Sequence, residues 1–243
     1  MRKYLTFLAI TLFTLTWSTY AYSQIKPQPI LNDRDYDFEK RLRFGFSLGV
    51  NFMDFQISSN PMQEDSLFVD NSRIYPGFNV NVVTDLRLLP TLRLRFLPGL
   101  AFGQRDLYFY PKDGGSPTII PIESSFIELP LMLKYAADRK WNARPYVVAG
   151  ANFRIDMAAY KKLNIDEGVY LGLIKGDFYY EFGFGMEFFL NWFKFSTEIK
   201  FSSAFRNALR KYDYAKDPFE ALPYHNAIDN LKSQVVTLSF HFE

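Results

Sequence analysis

The residues of this 243-residue chain that could act as a nucleophile or a general base are few. There are two histidines, His225 and His241, and no cysteine. Acyl transfer or hydrolysis needs a serine or another nucleophile beside a histidine base, and only Ser202 and Ser203 could approach His225 after folding. No phosphate-binding glycine loop, redox motif or metal-ligand cluster occurs in the sequence. We therefore expect no catalytic residue, no cofactor and no metal.

A larger set of charged residues recurs at alternate positions between apolar residues. Charges of both signs on one enclosed face must pair or hold water, because an isolated buried charge is costly. We expect a structural ion-pair network, and a proton or ion path is the alternative. The residues are Arg43, Asp85, Arg93, Arg95, Glu128, Lys134, Arg154, Glu181, Glu187, Lys194, Glu198, Lys200 and His241.

Strands with a period of two must position these residues. In Leu42–Phe52 every second residue is apolar, and the residues between are small or polar. Successive side chains of a strand point to opposite faces, so this strand has one apolar and one polar face. Seven later segments repeat the pattern: Tyr75–Leu86, Leu92–Gly103, Phe126–Tyr135, Arg144–Arg154, Asp177–Leu190, Trp192–Ser202 and Gln234–Phe242.

The connections alternate between short and long. The short ones are Arg87–Thr91, Ala136–Ala143 and Asn191, and the long ones are Met53–Ile74, Gln104–Ser125, Ile155–Gly176 and Ser203–Ser233. Short periplasmic turns and long extracellular loops are typical of outer-membrane barrels, whose strands have about ten residues. The sequence therefore predicts an all-β fold: an eight-stranded antiparallel transmembrane up-and-down β-barrel over residues 42–243, with both termini in the periplasm.

The rival fold is a soluble eight-stranded barrel of lipocalin type with its apolar face inside. The interior of such a barrel is just wide enough for side chains or one small ligand, and a face dominated by Phe, Leu and Tyr is too bulky for it. We therefore expect the apolar face to contact lipid and the polar face to line the lumen. Trp141 and Trp192 lie at short turns, where an interfacial aromatic girdle is expected.

The start of the chain predicts export. Residues 1–23 have the basic start, apolar run and small-x-small cleavage site of a signal peptide, and residues 24–41 read as a polar periplasmic segment. Removing Arg2 and Lys3 with the signal lowers the 28 lysines and arginines to 26, equal to the 26 acidic residues. A neutral chain has no concentrated positive surface for nucleic acid, so we expect no nucleic-acid partner.

Two further features concern local structure. Pro98 and Pro130 lie inside predicted strands, where the missing N–H interrupts the ladder, so we expect a bulge at each. In the last long loop two apolar stripes predict two short amphipathic helices, one with Phe205, Leu209 and Tyr212 beside Arg206, Arg210 and Lys211, the other with Ala227, Ile228 and Leu231. The candidate partner-binding residues there are Phe205, Arg206, Leu209, Arg210 and Tyr212, and packing on the barrel rim is the alternative.

Five sequence runs resemble the PorT family of outer-membrane barrels, a component of the type IX secretion system. They are, in order, residues 96–102 (FLPGLAF), 127–135 (IELPLMLKY), 144–150 (RPYVVAG), 182–188 (FGFGMEF) and 195–201 (FSTEIKF). The second and third runs are shared with a wider superfamily of outer-membrane barrels. The resemblance covers nearly the whole mature chain, and it implies that prolines are kept at these strand positions.

The resemblance implies an accessory, non-enzymatic role in type IX secretion, such as assembly, stabilisation or docking. Other secretion-system proteins and outer-membrane lipid would then be the partners. A structural or adhesive barrel of the OmpA or OmpX kind is the alternative, and a lipid A-modifying enzyme is a more distant one. The resemblance supplies no catalytic residues.

Overall fold

The computed structural model describes residues 30–31, 40–59, 67–70, 75–111, 113–160, 163, 169–215 and 217–243. The predicted signal peptide (1–23) and most of the predicted N-terminal segment (24–41) lie outside the described residues. The chain from Leu31 to Glu243 forms one compact unit.

The described residues form ten strands in a single antiparallel sheet. In chain order these strands are β1 (Leu42–Ser59), β2 (Leu67–Asp70), β3 (Pro76–Arg87), β4 (Leu92–Phe96), β5 (Gly99–Pro111), β6 (Thr118–Ala136), β7 (Ala143–Asp156), β8 (Gly176–Phe189), β9 (Lys194–Ala204) and β10 (Ile228–Phe242). Short 3-10 turns occur at Ala158–Tyr160 and Phe219–Ala221, and the helix α1 spans Leu222–Asn226. Among the described residues no helix is long and apolar enough to cross a membrane.

The strand pairing closes into a ring. β1 pairs with β3 on one side and with β10 on the other, and β10 continues through β9, β8, β7 and β6. β4 and β5 share one position in the ring, because both pair with β3 and with β6. β2 lies outside the ring and pairs with the far end of β5. The all-β antiparallel prediction is confirmed, and the fold resembles an outer-membrane β-barrel.

The side chains of the ring have the predicted sidedness. On β1 the side chains of Leu42, Phe44 and Phe46 are exposed, whereas those of Arg43 and Ser47 are buried. The other ring strands alternate in the same way, with Phe, Leu, Val and Tyr outward. The ring therefore has an apolar outer wall and a polar interior.

The two strand prolines behave differently. At Pro98 the strand is interrupted, and the break between Phe96 and Gly99 divides β4 from β5. Pro98 has no N–H to donate, but its carbonyl accepts from the Val82 N–H at 2.9 Å, which keeps the two halves in line. The predicted bulge at Pro130 is wrong, since β6 runs through Pro130 in continuous register with β7.

We predict that Gly99→Val lowers the free energy of unfolding by about 1–3 kcal/mol, the cost of overpacking a tight site. A Cβ atom at Gly99 would overlap the side-chain amide of Asn81 and the carbonyl oxygen of Val80. Ala149→Val adds comparable bulk on the outer wall and should change stability little. Urea unfolding of both variants in detergent measures the difference, and equal stabilities would contradict the prediction.

The connections predicted as long loops are partly strand. β1 continues to Ser59, and β5 and β6 extend the Gln104–Ser125 connection into a hairpin whose register runs to Phe109↔Thr118. The physical reason is an apolar core that these extensions enclose. It lies at the end of the ring with the long connections, called here the long-loop end. Its buried residues are Phe55, Val69, Leu107, Phe109, Ile120, Leu171, Ala208, Leu209, Ala227, Ile228 and Leu231.

The two helices predicted in the last loop are wrong. The segment from Phe205 to Tyr212 contains no helix, and Leu209 instead forms an isolated bridge with Leu173. Ile228 and Leu231 belong to β10, which starts six residues before the predicted Gln234. Of these apolar residues, Leu209, Ala227, Ile228 and Leu231 contact the apolar core separately, whereas Phe205 and Tyr212 lie outside it. The α-helix of the described residues, α1, lies between the two predicted stripes.

Candidate functional site

All thirteen charged residues predicted to share the inner face are buried in the structure. Most of them form two groups of ion pairs. The Arg95 cluster lies at the end of the ring with the short turns, called here the short-turn end, and comprises Asp85, Arg95, Lys134, Arg144, Glu187, Lys194, Glu198 and Glu243. The Arg154 cluster lies nearer the long-loop end and comprises Glu128, Arg154, Glu181 and Lys200.

Arg95 connects three carboxylates in its cluster. Its guanidinium donates to both carboxylate oxygens of Asp85, at 2.6 and 2.8 Å. Nη2 of Arg95 also lies 2.6 Å from Oε1 of Glu243, and Nη1 lies 3.4 Å from Oε2 of Glu198. The side chain is fully buried, so one guanidinium links β4 to β3, β9 and the residue after β10.

Glu187 plays the complementary part, with three cations around one carboxylate. Lys134 contacts its Oε1, Lys194 lies 3.0 Å from the same oxygen, and Nε of Arg144 lies 2.6 Å from Oε2. Lys194 also pairs with Glu243 at 2.5 Å. The cluster thus holds four basic side chains and four acidic ones in mutual contact.

Tyr146 and His241 complete this cluster around Glu198. The Tyr146 hydroxyl donates to Oε2 of Glu198 at 3.0 Å, and Nε2 of His241 lies 3.5 Å from the same oxygen. The ammonium of Lys134 lies 4.2 Å from the centre of the Tyr146 ring, a cation–π contact. The predicted set of interior residues did not include Tyr146, Arg144 and Glu243. Arg144 and Tyr146 share the inward parity of the predicted strand Arg144–Arg154, and Glu243 continues the parity of β10 one residue past its end.

The Arg154 cluster is also balanced in charge. Nε of Arg154 lies 2.7 Å from Oε1 of Glu128, and a terminal nitrogen lies 3.1 Å from Oε1 of Glu181. Lys200 pairs with the other oxygen of Glu181 at 2.9 Å. Asn152 and Ser202 both donate to Glu181 at 2.8 Å. Two cations and two anions are thus enclosed together with two polar side chains that hydrogen bond to Glu181.

The candidate nucleophiles and bases are held apart by these contacts. Ser202 is hydrogen bonded to Glu181 and Arg154 in the interior. His225 lies in α1, where its Nε2 is 2.8 Å from the carbonyl oxygen of Arg210. In the described part of the chain no serine lies within hydrogen-bonding distance of either histidine. The arrangement is suited to holding strands together.

The candidate partner-binding residues do not share one surface. Phe205 is 58% exposed and packs edge-on against Tyr180. Arg206 pairs with Asp177 at 3.1 Å, whereas Leu209 is buried in the apolar core. Arg210 pairs with Asp217 at 2.7 Å, and the Tyr212 hydroxyl donates to the Pro218 carbonyl oxygen at 2.8 Å. Only Phe205 and Arg206 therefore present most of their side chains to the outside.

Asp217 braces this loop and makes it sensitive to acid. Burial acts to raise the pKa of Asp217, but the Asp213 N–H and the Arg210 guanidinium outweigh it and hold that pKa below its usual value. Because the pKa of Asp217 is lower in the folded loop than in the unfolded chain, its ionised form stabilises the loop at any pH above the unfolded-state pKa. This stabilisation is lost as the pH falls through the folded-state pKa.

We therefore expect residues 205–221 to become more accessible to protease as the pH is lowered from 7 to about 3. Asp217→Asn should already raise protease accessibility at pH 7. The free energy of opening the loop should fall by less than about 1 kcal/mol, because Arg210 is partly exposed. Asp229→Asn changes an exposed carboxylate nearby and serves as the control. An acid response that is unchanged in Asp217→Asn would show that Asp217 is not the responsible group.

The two tryptophans of the predicted girdle lie beside the short turns. Trp192 is 89% exposed in the turn between β8 and β9. Trp141 is 39% exposed and has a positive φ of 63° in the turn between β6 and β7. The girdle itself stays a prediction.

Comparison with known proteins identifies the family. Residues 22–210 match the outer membrane protein beta-barrel domain family. No curated protein sequence matches the chain at a significant level.

Several solved structures are similar in fold at low sequence identity. Neisserial surface protein A is 10% identical with a TM-score of 0.42, and the match covers 83% of this chain and 98% of that one. OprG of Pseudomonas aeruginosa is 10% identical with a TM-score of 0.41, covering 83% and 91%. The attachment invasion locus protein Ail of Yersinia pestis is 11% identical with a TM-score of 0.35, covering 82% and 96%.

The family match extends over more than half of the chain and includes most of the ring strands. The predicted location in the outer membrane is thereby confirmed. The chain belongs to the outer membrane protein beta-barrel domain family.

Proposed function

We propose that this protein is an eight-stranded transmembrane up-and-down barrel with a structural or adhesive role at the cell surface and no catalytic activity. The observation that carries the proposal is a closed ring of strands whose interior is filled by charge-balanced ion pairs. A filled interior supports a scaffold, because it leaves the long-loop end as the part that can meet a partner.

The packing of the interior argues against a pore. The Arg95 cluster, the Arg154 cluster and the apolar core follow one another along the ring axis. A cavity between Arg105, Arg154 and Tyr179 has a volume of about 20 Å³, which is room for one or two water molecules. An ion crossing the ring would have to separate buried pairs, at a cost of several kcal/mol for each uncompensated charge.

The same topology supports an orientation. Short turns are typical of the periplasmic side and long connections of the extracellular side. The short-turn end would then face the periplasm, and the apolar core would form a braced extracellular cap. Outer-membrane lipid would surround the outward Phe, Leu and Val side chains, and surface molecules would contact the cap.

The filled interior predicts that the purified protein conducts no steady current. Planar lipid bilayers containing the folded protein should show only background conductance at moderate voltage, because an ion crossing the ring would have to separate the buried ion pairs. A general porin reconstituted in the same bilayers is the positive control. Steady, sizeable single-channel steps would contradict the filled interior and with it this function.

A second candidate is an accessory role in type IX secretion. The observation that favours it is the ordered resemblance of five sequence runs to the PorT family, three of which lie in β6, β7 and β8. A gene deletion distinguishes the roles. Unchanged export of type IX cargo with altered surface adhesion supports the proposed function, and lost export supports the secretion role. Altered lipid A acylation in the deletion would instead indicate an enzyme.

A further inference from the structure

The outer wall of the ring carries a trough near the short-turn end. Strand register places four residues in one row on the outer wall: Ala137 just after β6, Pro145 on β7, Met186 on β8 and Thr197 on β9. The Ala137 N–H donates to the Pro145 carbonyl oxygen at 3.0 Å, and Pro145 pairs with Met186, which pairs with Thr197. We call this row the trough.

Bulky side chains border the trough on both sides. The row above it, toward the long-loop end, follows the register through Tyr135, Val147, Phe184, Ile199 and Leu238. The row below contains Phe188, Phe195 and Phe242, with the rings of Phe188 and Phe195 stacked at 6.3 Å. At the β10 side the trough ends at Phe240, which stacks on Phe195 at 6.1 Å. A concavity of about 670 Å³ is formed by the trough together with the row above it, and it is lined mainly by apolar atoms.

The open side of the trough meets a cationic turn. Ala137 and Pro145 flank the β6–β7 turn, which carries Arg139, Lys140 and Trp141 together with one exposed carboxylate, Asp138, and so has a net charge of +1. The Arg139 guanidinium already donates to the carbonyl oxygens of Leu31 and Trp141. Lys140 is exposed, and the next residue, Trp141, is 39% exposed. An ammonium and an indole at this position suit a lipid headgroup, since tryptophan and lysine favour the membrane interface.

We propose that the trough binds one acyl chain of a glycerophospholipid whose phosphate contacts Lys140. This inference rests on the proposed function, because the wall faces lipid only if the ring spans the membrane. Lipid covers every outward face of such a ring, but here an apolar concavity of about 670 Å³ adjoins the turn that carries an exposed lysine. An acyl chain lying across the strands would fill the trough, and the phosphate would accept a charge-assisted hydrogen bond from the Lys140 ammonium.

The test measures lipid that stays bound after purification. The full chain is reconstituted in nanodiscs of phosphatidylethanolamine and phosphatidylglycerol, released into detergent, and examined by native mass spectrometry. The unaltered protein should retain one phospholipid. Thr197→Trp, which fills the trough, should lower the retained fraction about tenfold, the effect of losing contact for about two methylene groups. Ala151→Trp adds the same side chain to the outer wall away from the trough and should retain the lipid.

The headgroup contact is tested separately. Lys140→Glu should favour loss of phosphatidylglycerol over phosphatidylethanolamine, because it reverses the charge facing the phosphate. Lys211→Glu, an exposed change at the long-loop end, should have no effect. Met186→Phe provides a second way to fill the trough if Thr197→Trp does not fold.

Heat-modifiable migration in detergent gels separates the two possible failures. If the unaltered protein shows no such shift, the transmembrane ring is wrong and the proposed function fails with it. If all variants shift and Thr197→Trp retains lipid as well as Ala151→Trp does, the trough is not the site and only this inference is overturned. Loss of lipid in both tryptophan variants would also overturn it, because the effect would then be general to the wall.

Discussion

Replacing Arg95 by methionine should lower the free energy of unfolding by about 3–5 kcal/mol, the cost of removing one partner from a buried ion pair. Arg95 is fully buried and contacts Asp85, Glu198 and Glu243. Methionine fills a similar volume but leaves these carboxylates with less compensating charge in a medium where water cannot solvate them. Urea unfolding in lipid vesicles, followed by the gel shift of the folded form, measures the change.

Two further variants make the Arg95 result specific. Arg206→Met removes a guanidinium that is mostly exposed and pairs with Asp177, so it should cost less than about 1 kcal/mol. Adding Asp85→Asn to Arg95→Met should restore part of the lost stability, since it removes one of the stranded charges. If Arg95→Met is as stable as Arg206→Met, the Arg95 cluster does not hold the ring together.

Phe109→Ala should open the apolar core at the long-loop end, with a local cost of about 3–5 kcal/mol, as for other buried Phe→Ala changes. Phe109 is fully buried and meets Tyr224 edge-on at a ring distance of 5.0 Å. Its loss leaves a cavity between β5 and α1. Because the core lies beyond the ion-paired clusters, we expect local opening while the ring itself stays folded.

Hydrogen exchange and protease cleavage at the cell surface distinguish local from global opening. In Phe109→Ala, exchange should rise in β5, β6 and α1, with little change in β7 to β9. Phe68→Ala is the matched control, because Phe68 lies on the neighbouring strand β2 but is 68% exposed. Unchanged exchange in the cap, or equal loss of protection throughout the ring, would each contradict a separate extracellular core.

These two expectations assign different physical roles to the two ends of the molecule. At the short-turn end, the strands are joined by the buried ion pairs of the Arg95 cluster, so loss of one partner leaves the others uncompensated. At the long-loop end stability comes from apolar burial among strand extensions and α1. An adhesive surface on the cap would therefore be displayed on a braced support, and changes to exposed cap residues such as Phe219 should alter binding without unfolding the ring.

The inward period of two allowed most of the interior to be predicted, because residue parity alone assigns a side chain to a face of a strand. Arg144 and Tyr146 have the same parity and lie within the predicted strand Arg144–Arg154, but they were not included among the predicted interior residues. Glu243 lies one residue beyond the predicted end of the last strand. The interruption at Pro98 was also expected from its missing N–H, but the predicted bulge there is wrong, because Phe96 and Gly99 keep the same register with β3 and with β6. Pro130 also lacks an N–H, but β6 is unbroken there and its register with β7 continues through Pro130.

The long connections were harder to predict from sequence. Phe205, Leu209 and Tyr212 have helical spacing, but Leu209 instead pairs with Leu173 and enters the apolar core. Ile228 and Leu231 extend β10 for the same reason. Local spacing cannot distinguish a helix from a chain whose apolar side chains reach partners far away in sequence.

The sequence by itself determined the strand class, the inner and outer faces and the set of buried charges, since all three depend on the two-residue repeat. Tertiary structure alone decided which charge pairs with which, where the strands end and how the long-loop end is filled. Those features depend on the register between strands and on contacts between distant segments, which composition and spacing within one segment do not specify. The trough on the outer wall is of the second kind, because it exists only where four short or flexible side chains from four strands align.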